Sequence, residues 1–344
     1  MATNYLVTGG AGFIGSNYVA RLLGRGETAT IYDNLSRVGA PKNLSWLEQG
    51  FGKEAFRLVR GDIEDARQLA EAARDADVIV HLAGQVAVTT SVTNPREDFE
   101  ANALGTFNAL EAARASGQNP VFIYASTNKV YGGMEEVALA EEATRWRYAD
   151  LEYGCPESQP LDFHSPYGCS KGTGDQYVRD YARIYGLPTV VMRQSCIYGP
   201  RQFGIEDQGW VAWFMIAAVT GRPITIYGDG KQVRDVLHVD DLLDAYDMAI
   251  AKIDSARGRV YNIGGGPQNV MSVWAEFGPL LEELLEKEIP VGHGDWRPGD
   301  QKVFYADIRK AQRELDWKPG IGVQEGVKRL FNWVAENRQL FQSG

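Results

Sequence analysis

Cysteine and histidine are scarce in this 344-residue chain, three and four in number, and neither is clustered. Cys155, Cys169 and Cys196 are odd in number, widely spaced and without a CxxC pair, which argues against a disulfide framework or a zinc site and fits a reducing cytoplasm. Positive charge is also short. Lys and Arg total 35 against 45 Asp and Glu, a formal net charge of -10, so general affinity for nucleic acid or an anionic membrane is not expected, although one local basic pocket is compatible with it. No apolar run is long enough to span a membrane, no basic leader opens "MATNYLVTGG", and no repeat appears. A soluble cytoplasmic protein is expected. Its 44% hydrophobic content suffices for one large core or two modest ones.

Through the first half, short β-rich runs alternate with helix-compatible segments: "NYLVTGG", "ATIYDN", "FRLVRGD", "DVIVHLAG", "VFIYAST" and "TVVMRQS". Each ends in small or polar residues, as parallel strands do when their carboxyl ends border a ligand crevice. The pattern predicts an α/β fold with a Rossmann-type doubly wound parallel sheet. Residues 133–162, rich in acids and carrying Trp146, Tyr148 and Tyr153, break the rhythm and read as an insertion near the pocket. After Ser195 come a strand-like "ITIYGDGKQVRDVLHV", the helix "DDLLDAYDMAIAKI", the strand "GRVYNIGGG" and C-terminal helical stretches. These predict a smaller, interleaved C-terminal substrate-binding lobe of residues 195–232 plus 266–344, against a dinucleotide lobe of 1–194 plus 233–265.

"YLVTGGAGFIGSN" places Gly10, Gly12 and Gly15 in GxGxxG register, with Gly9 preceding, between a strand and a helix. Glycine permits the tight turn and close backbone approach, and the helix N-terminus offers unpaired N–H groups to a pyrophosphate. Asp33, at the end of the second strand, stands where an acid grips an adenosine ribose and repels a 2′-phosphate. NAD is therefore expected, with Arg37 the one nearby feature pointing toward NADP. The expected cofactor-binding set adds Phe13, Ile14, Asn34, Ser36 and Arg37, with Asp62 and Ile63 at an adenine.

"SPYGCSKG" sets Tyr167 and Lys171 at i and i+4, on one face of a helix. An ammonium beside a phenol stabilises phenolate and can lower its pKa from about 10 toward the working pH. Behind a dinucleotide loop, YGCSK resembles the YxxxK of the extended short-chain dehydrogenases/reductases. That resemblance implies Tyr167 as acid/base, Lys171 as its modulator and ribose ligand, and a Ser or Thr as third member. Register in "ASTNKVYGG" selects Thr127, with Ser126 the alternative. "HLAGQ" resembles the family's loop over the cofactor, adding Leu82, Ala83, Gly84 and Gln85, and Asn102 resembles its backbone-stabilising asparagine. His81 itself reads as a strand-end hydrogen bonder.

Family members act chiefly on nucleotide-activated sugars. Thr127 is followed by Asn128 and Lys129 where 4,6-dehydratases carry an Asp-Glu pair, and an amide and an ammonium cannot expel water as an acid and a base do. Cys196 in "RQSCIYG" stands where galactose 4-epimerases have an asparagine. "HLAGQVAVTTS", "STNKVYG", "DFHSPYGCSKG", "RQFGIEDQGWVAWF" and "GKQVRDVLH" are closely similar to the CDP-paratose 2-epimerase family. The resemblance implies inversion at carbon 2 of a CDP-hexose by transient oxidation, a homodimer, and anion contacts at Arg234, Arg297 and Arg201. Gln85, Thr89, Thr90, Asn128, His164 and Cys196 are the expected sugar-side residues. A 4-epimerase, a net oxidoreductase and a non-catalytic dinucleotide sensor are the alternatives.

Overall fold

The computed structural model describes residues 2–206, 208–296 and 301–341. Its first half alternates strand and helix: β1 (Asn4–Thr8), α1 (Phe13–Gly24), β2 (Thr28–Asp33), α2 (Ala40–Phe51), β3 (Arg57–Arg60), α3 (Ala66–Ala73) and β4 (Val78–His81). Then follow α4 (Val88–Thr93), α5 (Pro95–Phe99), a π-helical turn at Glu100–Leu104, α6 (Gly105–Ala115) and β5 (Val121–Thr127). The insertion contributes a hairpin, β6 (Leu139–Glu141) and β7 (Trp146–Tyr148), before α7 (Ser165–Tyr185), β8 (Thr189–Gln194), β9 (Cys196–Tyr198) and α8 (Trp210–Thr220). The remainder holds β10 (Ile224–Tyr227), β11 (Val233–His238), α9 (Val239–Ala251), α10 (Ile253–Ala256), β12 (Arg259–Ile263) and β13 (Val270–Ser272). It ends with α11 (Phe277–Leu285), β14 (Val291–Gly294), β15 (Val303–Phe304), α12 (Arg309–Leu315) and α13 (Val323–Glu336).

Seven strands form a wholly parallel sheet in the order β12-β8-β5-β4-β1-β2-β3, which is the doubly wound α/β topology expected. Val78–His81 and Thr189–Gln194 are buried at every residue, because helices cover both faces and no alternation is required. Strand order reverses between β1 and β4, which opens a crevice at their carboxyl ends. Both faces carry apolar clusters, with Val7, Ile31, Val80 and Ile123 in one and Leu6, Ile79, Phe122 and Val191 in the other.

The strand-like run 224–238 is two strands in different sheets rather than one unit. Gly228 and Gly230, both at positive φ, turn the chain between them, and β10 pairs with β14 while β11 pairs with β9, β13 and β15. Val233 and Leu237 of β11 nevertheless join the cluster beneath the large sheet, so this strand stitches the small sheet to the large one. The insertion also reaches the small sheet. Tyr148 packs 4.9 Å from Tyr305 between ring centroids, and Cys155 bridges to Ala306.

Candidate active site

The glycine loop is a backbone cradle. Gly9 has φ +69°, and a Cβ there would meet Ala83 N at 2.8 Å; at Gly15 it would meet the Gly9 carbonyl oxygen at 2.2 Å. Around Gly12 the space is otherwise open, with only the Gly9 oxygen at 3.1 Å from an ideal Cβ. Gly12 caps α1 without a side-chain bond, so the N–H groups of Phe13, Ile14 and Gly15 begin a helix whose first intrahelical donor is Ser16. Free N–H groups at a helix start, placed at the switch point of the sheet, are able to receive an anion.

Asp33 fastens this loop to the end of β2. Its Oδ2 accepts from Ala11 N at 3.0 Å and its Oδ1 from Leu35 N at 2.8 Å, which leaves acceptor capacity on both oxygens. Burial raises its pKa and the two backbone bonds oppose that rise. Asn34 donates to Asp62 Oδ2 at 2.9 Å and accepts from Ser36 N at 3.0 Å, so the ends of β2 and β3 form one wall. Ile63 is buried against Gly105. Arg37 is engaged elsewhere: its guanidinium donates to the Gln208 side chain.

On the other side of the crevice, Leu82 and Ala83 donate to Thr8 Oγ1 at 3.2 and 3.3 Å. Asn102, in the π-helical turn, donates to the Gln85 carbonyl at 3.0 Å, and a Cβ on Gly84 would lie 2.4 Å from its Oδ1. His81 is buried between the hydroxyls of Thr8 and Thr106, at 2.8 and 3.1 Å, and burial brings its pKa down to about 3. It is a neutral structural side chain, as expected.

Tyr167 and Lys171 lie one turn apart on α7, and Thr127 ends β5 opposite them. All three are largely buried. Thr127 stands close enough to act on the phenol, and its hydroxyl donates to Asn128 Oδ1 at 3.3 Å and accepts from Lys129 N at 3.2 Å. Ser126, the alternative third member, points its hydroxyl into Asp175 Oδ2 at 2.8 Å, so Thr127 takes the place beside the phenol. Lys171 Nζ donates to the Ala125 carbonyl at 2.6 Å and sits 4.4 Å from the Tyr124 ring centroid. Burial pushes Tyr167 up to about 12, with the neighbouring Thr127 hydroxyl opposing the rise. The Lys171 ammonium points one donor at the Ala125 carbonyl and lies over the Tyr124 face, and burial brings its own pKa down to about 7.

Two buried groups that sequence reasoning missed stand behind the dyad. Asp175 pairs with Arg193 through two bonds of 2.8 and 2.9 Å, and Asp98 bonds Ser170 and Asn102. Asp175 follows Lys171 by four residues, so the same helical spacing that singled out the dyad extends to it.

The sugar-side residues are brought together in part. Cys196 accepts from Trp210 Nε1 at 3.4 Å and feels the charges of Arg234 and Lys129. Arg234 is buried on β11, with Nη1 donating to the Val233 carbonyl at 2.8 Å. Lys129 Nζ donates to Gln301 Oε1 at 3.1 Å, and Gln301 in turn bonds the Gly132 carbonyl, a contact the motifs gave no hint of. Gln85 folds its amide onto Ala87, Thr89 and Thr90 are exposed on α4, and His164 pairs with Asp162 at 2.9 Å. Arg201 stands with other partners: its guanidinium lies 3.9 Å from the Trp46 ring centroid and 5.6 Å from that of Trp333. Arg297 falls outside the described residues. The described residues hold no acidic, Cys or His group able to bind a metal, and no described helix is long and apolar enough to cross a membrane.

Residues 6–330 match the family model described as GDP-mannose 4,6 dehydratase. The chain belongs to the extended short-chain dehydrogenase/reductase family. It is 46% identical to the CDP-paratose 2-epimerase of Salmonella typhi over 337 residues, which cover 96% of this chain and 98% of that one. Among solved structures it resembles the UDP-glucose 4-epimerase of Thermotoga maritima with UDP-glucose, at a TM-score of 0.82, 30% identity and coverage of 98% and 100%. The dTDP-glucose 4,6-dehydratase of Streptomyces venezuelae, with NAD bound, gives 0.83 at 30% identity and 99% coverage of each chain.

Proposed function

We propose that the protein is an NAD-dependent epimerase that inverts carbon 2 of a CDP-hexose, interconverting CDP-paratose and CDP-tyvelose. The observation that carries this is the 46% identity along nearly the full chain to a CDP-paratose 2-epimerase, with Thr127, Tyr167 and Lys171 assembled at the crevice. The dehydratase description of the family model is not carried over, because Asn128 and Lys129 supply neither the acid nor the base that loss of water needs.

The residues present fit NAD. A Cβ at Gly9 or Gly15 would close the cradle, the first turn of α1 offers its N–H groups, and Asp33 keeps acceptor capacity for a ribose. Asp33 at the ribose edge would repel a 2′-phosphate, and Arg37 donates to the Gln208 side chain. NAD bound here supplies an acceptor that takes hydrogen from carbon 2 and returns it, together with a positively charged ring. Tyr167 takes the proton of the carbon 2 hydroxyl and gives it back, Thr127 would turn its hydroxyl from Asn128 to hold that oxygen, and Lys171 keeps positive charge beside the developing phenolate. The keto sugar is planar at carbon 2, so return to its other face inverts the centre. Arg234, with Arg297, is assigned to the diphosphate, and the buried setting of Arg234 suits a charge-assisted bond there, whereas Arg201 is given to the Trp46 face.

A homodimer is part of the proposal. Val92, Phe99, Phe107, Tyr177, Ile184 and Tyr185 expose apolar surface on neighbouring helices α4 to α7, and a second copy of that face would cover it. Sedimentation of the native protein tests this, and Phe107→Glu should give monomers. Incubation with CDP-, UDP-, GDP- and dTDP-hexoses, with products read by NMR, tests the activity. Inversion at carbon 2 of the CDP-sugar without added cofactor is expected. Inversion at carbon 4, or a stoichiometric demand for added NADP, would reject it.

A further inference from the structure

Asp98 is wholly buried and has no part in the chemistry above. Its Oδ1 accepts from Asn102 Nδ2 at 3.0 Å and its Oδ2 from the Ser170 hydroxyl at 2.6 Å, while Ser170 also lies 3.2 Å from the Tyr167 carbonyl. One carboxylate thus ties the helix carrying Tyr167 and Lys171 to the turn that holds the Gln85 carbonyl over the crevice. Hydrogen bonds alone do not account for its charge. A buried carboxylate needs a compensating cation, and among the described residues Asp98 makes no direct ion pair.

Lys171 has the complementary deficit. Its ammonium is buried against one carbonyl and one ring face, with no carboxylate in direct contact among the described residues. The charged and titratable groups around it are Tyr167 and Asp175 on its own helix, Tyr124 on β5, His81 on β4, Arg193 on β8 and Asp98 on α5. His81 is neutral, and the charge of Asp175 is met by the guanidinium of Arg193 at 2.8 Å. Asp175 still exerts the larger field at Lys171, but it shares its charge with Arg193, and Asp98 is the nearby carboxylate without an ion pair of its own among the described residues.

We infer that Asp98 is the counter-charge of Lys171 and a positioning residue for the reaction, keeping the ammonium protonated while its two hydrogen bonds hold α7 against the Asn102 turn. Burial sets Lys171 near 7 even with the fields of Asp175 and Asp98 opposing it, so loss of one anion acts where the charge is already marginal. The sign follows for both groups. Removing the carboxylate favours neutral lysine and lowers the Lys171 pKa further; it also removes a field that raises Tyr167.

Asp98→Asn preserves the shape, since its amide oxygen accepts from Asn102 and its N–H donates to Ser170 Oγ. The alkaline limb of kcat/KM against pH should move down by roughly one unit, with the acid limb following and bound NAD unchanged. Titration of ε-13C-lysine signals in the purified enzyme, with Lys171 assigned through Lys171→Arg, should show the same fall in midpoint without any turnover. Ser170→Ala removes a hydrogen bond and keeps the charge, so its profile should lose height without moving. Asp98→Ser reads the same shift if the asparagine variant does not fold. A profile that is lower but unshifted, with an unmoved Lys171 midpoint, would make Asp98 a purely structural clamp and overturn the inference. The inference rests on Tyr167 and Lys171 as the proton-transfer pair, and Tyr167→Phe separates the two. Parent-like turnover in that variant rejects the pair itself, whereas an inactive Tyr167→Phe beside an unshifted Asp98→Asn rejects the role of Asp98 alone.

Discussion

Around the cofactor loop the backbone forms the walls: Gly9, Gly10, Gly12 and Gly15 lie close together in sequence, and an added Cβ at Gly9 or Gly15 meets main chain at 3.0 Å or less. Around Cys196 the walls are side chains, Trp210, Arg234 and Lys129, with Gln301 joined to Lys129 across 172 positions. A cradle made of backbone cannot be retuned residue by residue. A wall made of side chains from distant segments can be changed one at a time, and our proposal places the choice of nucleotide and of carbon there.

Substitutions on the two sides, and at the dyad between them, should therefore fail differently. Tyr167→Phe has the largest expected effect: loss of activity by roughly two to four orders of magnitude, with fold and bound NAD intact by circular dichroism and absorbance. Near-parental turnover would move the acid/base elsewhere. Gly15→Ala forces a Cβ to within 2.2 Å of the Gly9 oxygen, and overpacking of about 1–3 kcal/mol should weaken NAD by roughly ten- to a hundredfold while leaving the substrate wall as it is. Calorimetric titration of NAD measures it; an unchanged affinity would show that the loop is not the pyrophosphate site. Arg234→Gln should raise KM for the CDP-sugar by roughly tenfold with NAD occupancy unchanged, the loss expected of one charge-assisted bond. Smallest is Arg201→Met, expected to cost about 1 kcal/mol of stability through the Trp46 contact. A large KM effect there would return Arg201 to the phosphate wall.

The same division explains what was legible beforehand. The six parallel strands of the first half, the glycine turn, Asp33 and the Tyr167–Lys171 face are encoded in short runs, where period and spacing are the whole signal. Asp98 and Gln301 carry no motif of their own and acquire meaning when the fold brings α5 to α7 and residue 301 to residue 129. The run 224–238 reads as one strand because both halves are apolar and alternate; only its partners, β14 for one and β9, β13 and β15 for the other, divide it. The phenol's raised pKa was not visible either, since the spacing of Tyr167 and Lys171 says nothing of how deeply both are buried.

Retention of hydrogen at carbon 2 tests the proposed chemistry most directly. A CDP-paratose deuterated at that carbon should give CDP-tyvelose with the label kept, and the reaction in heavy water should introduce none, because the hydrogen leaves carbon 2 and returns without meeting solvent. Loss of the label to solvent, or release of free CDP during inversion, would contradict transient oxidation.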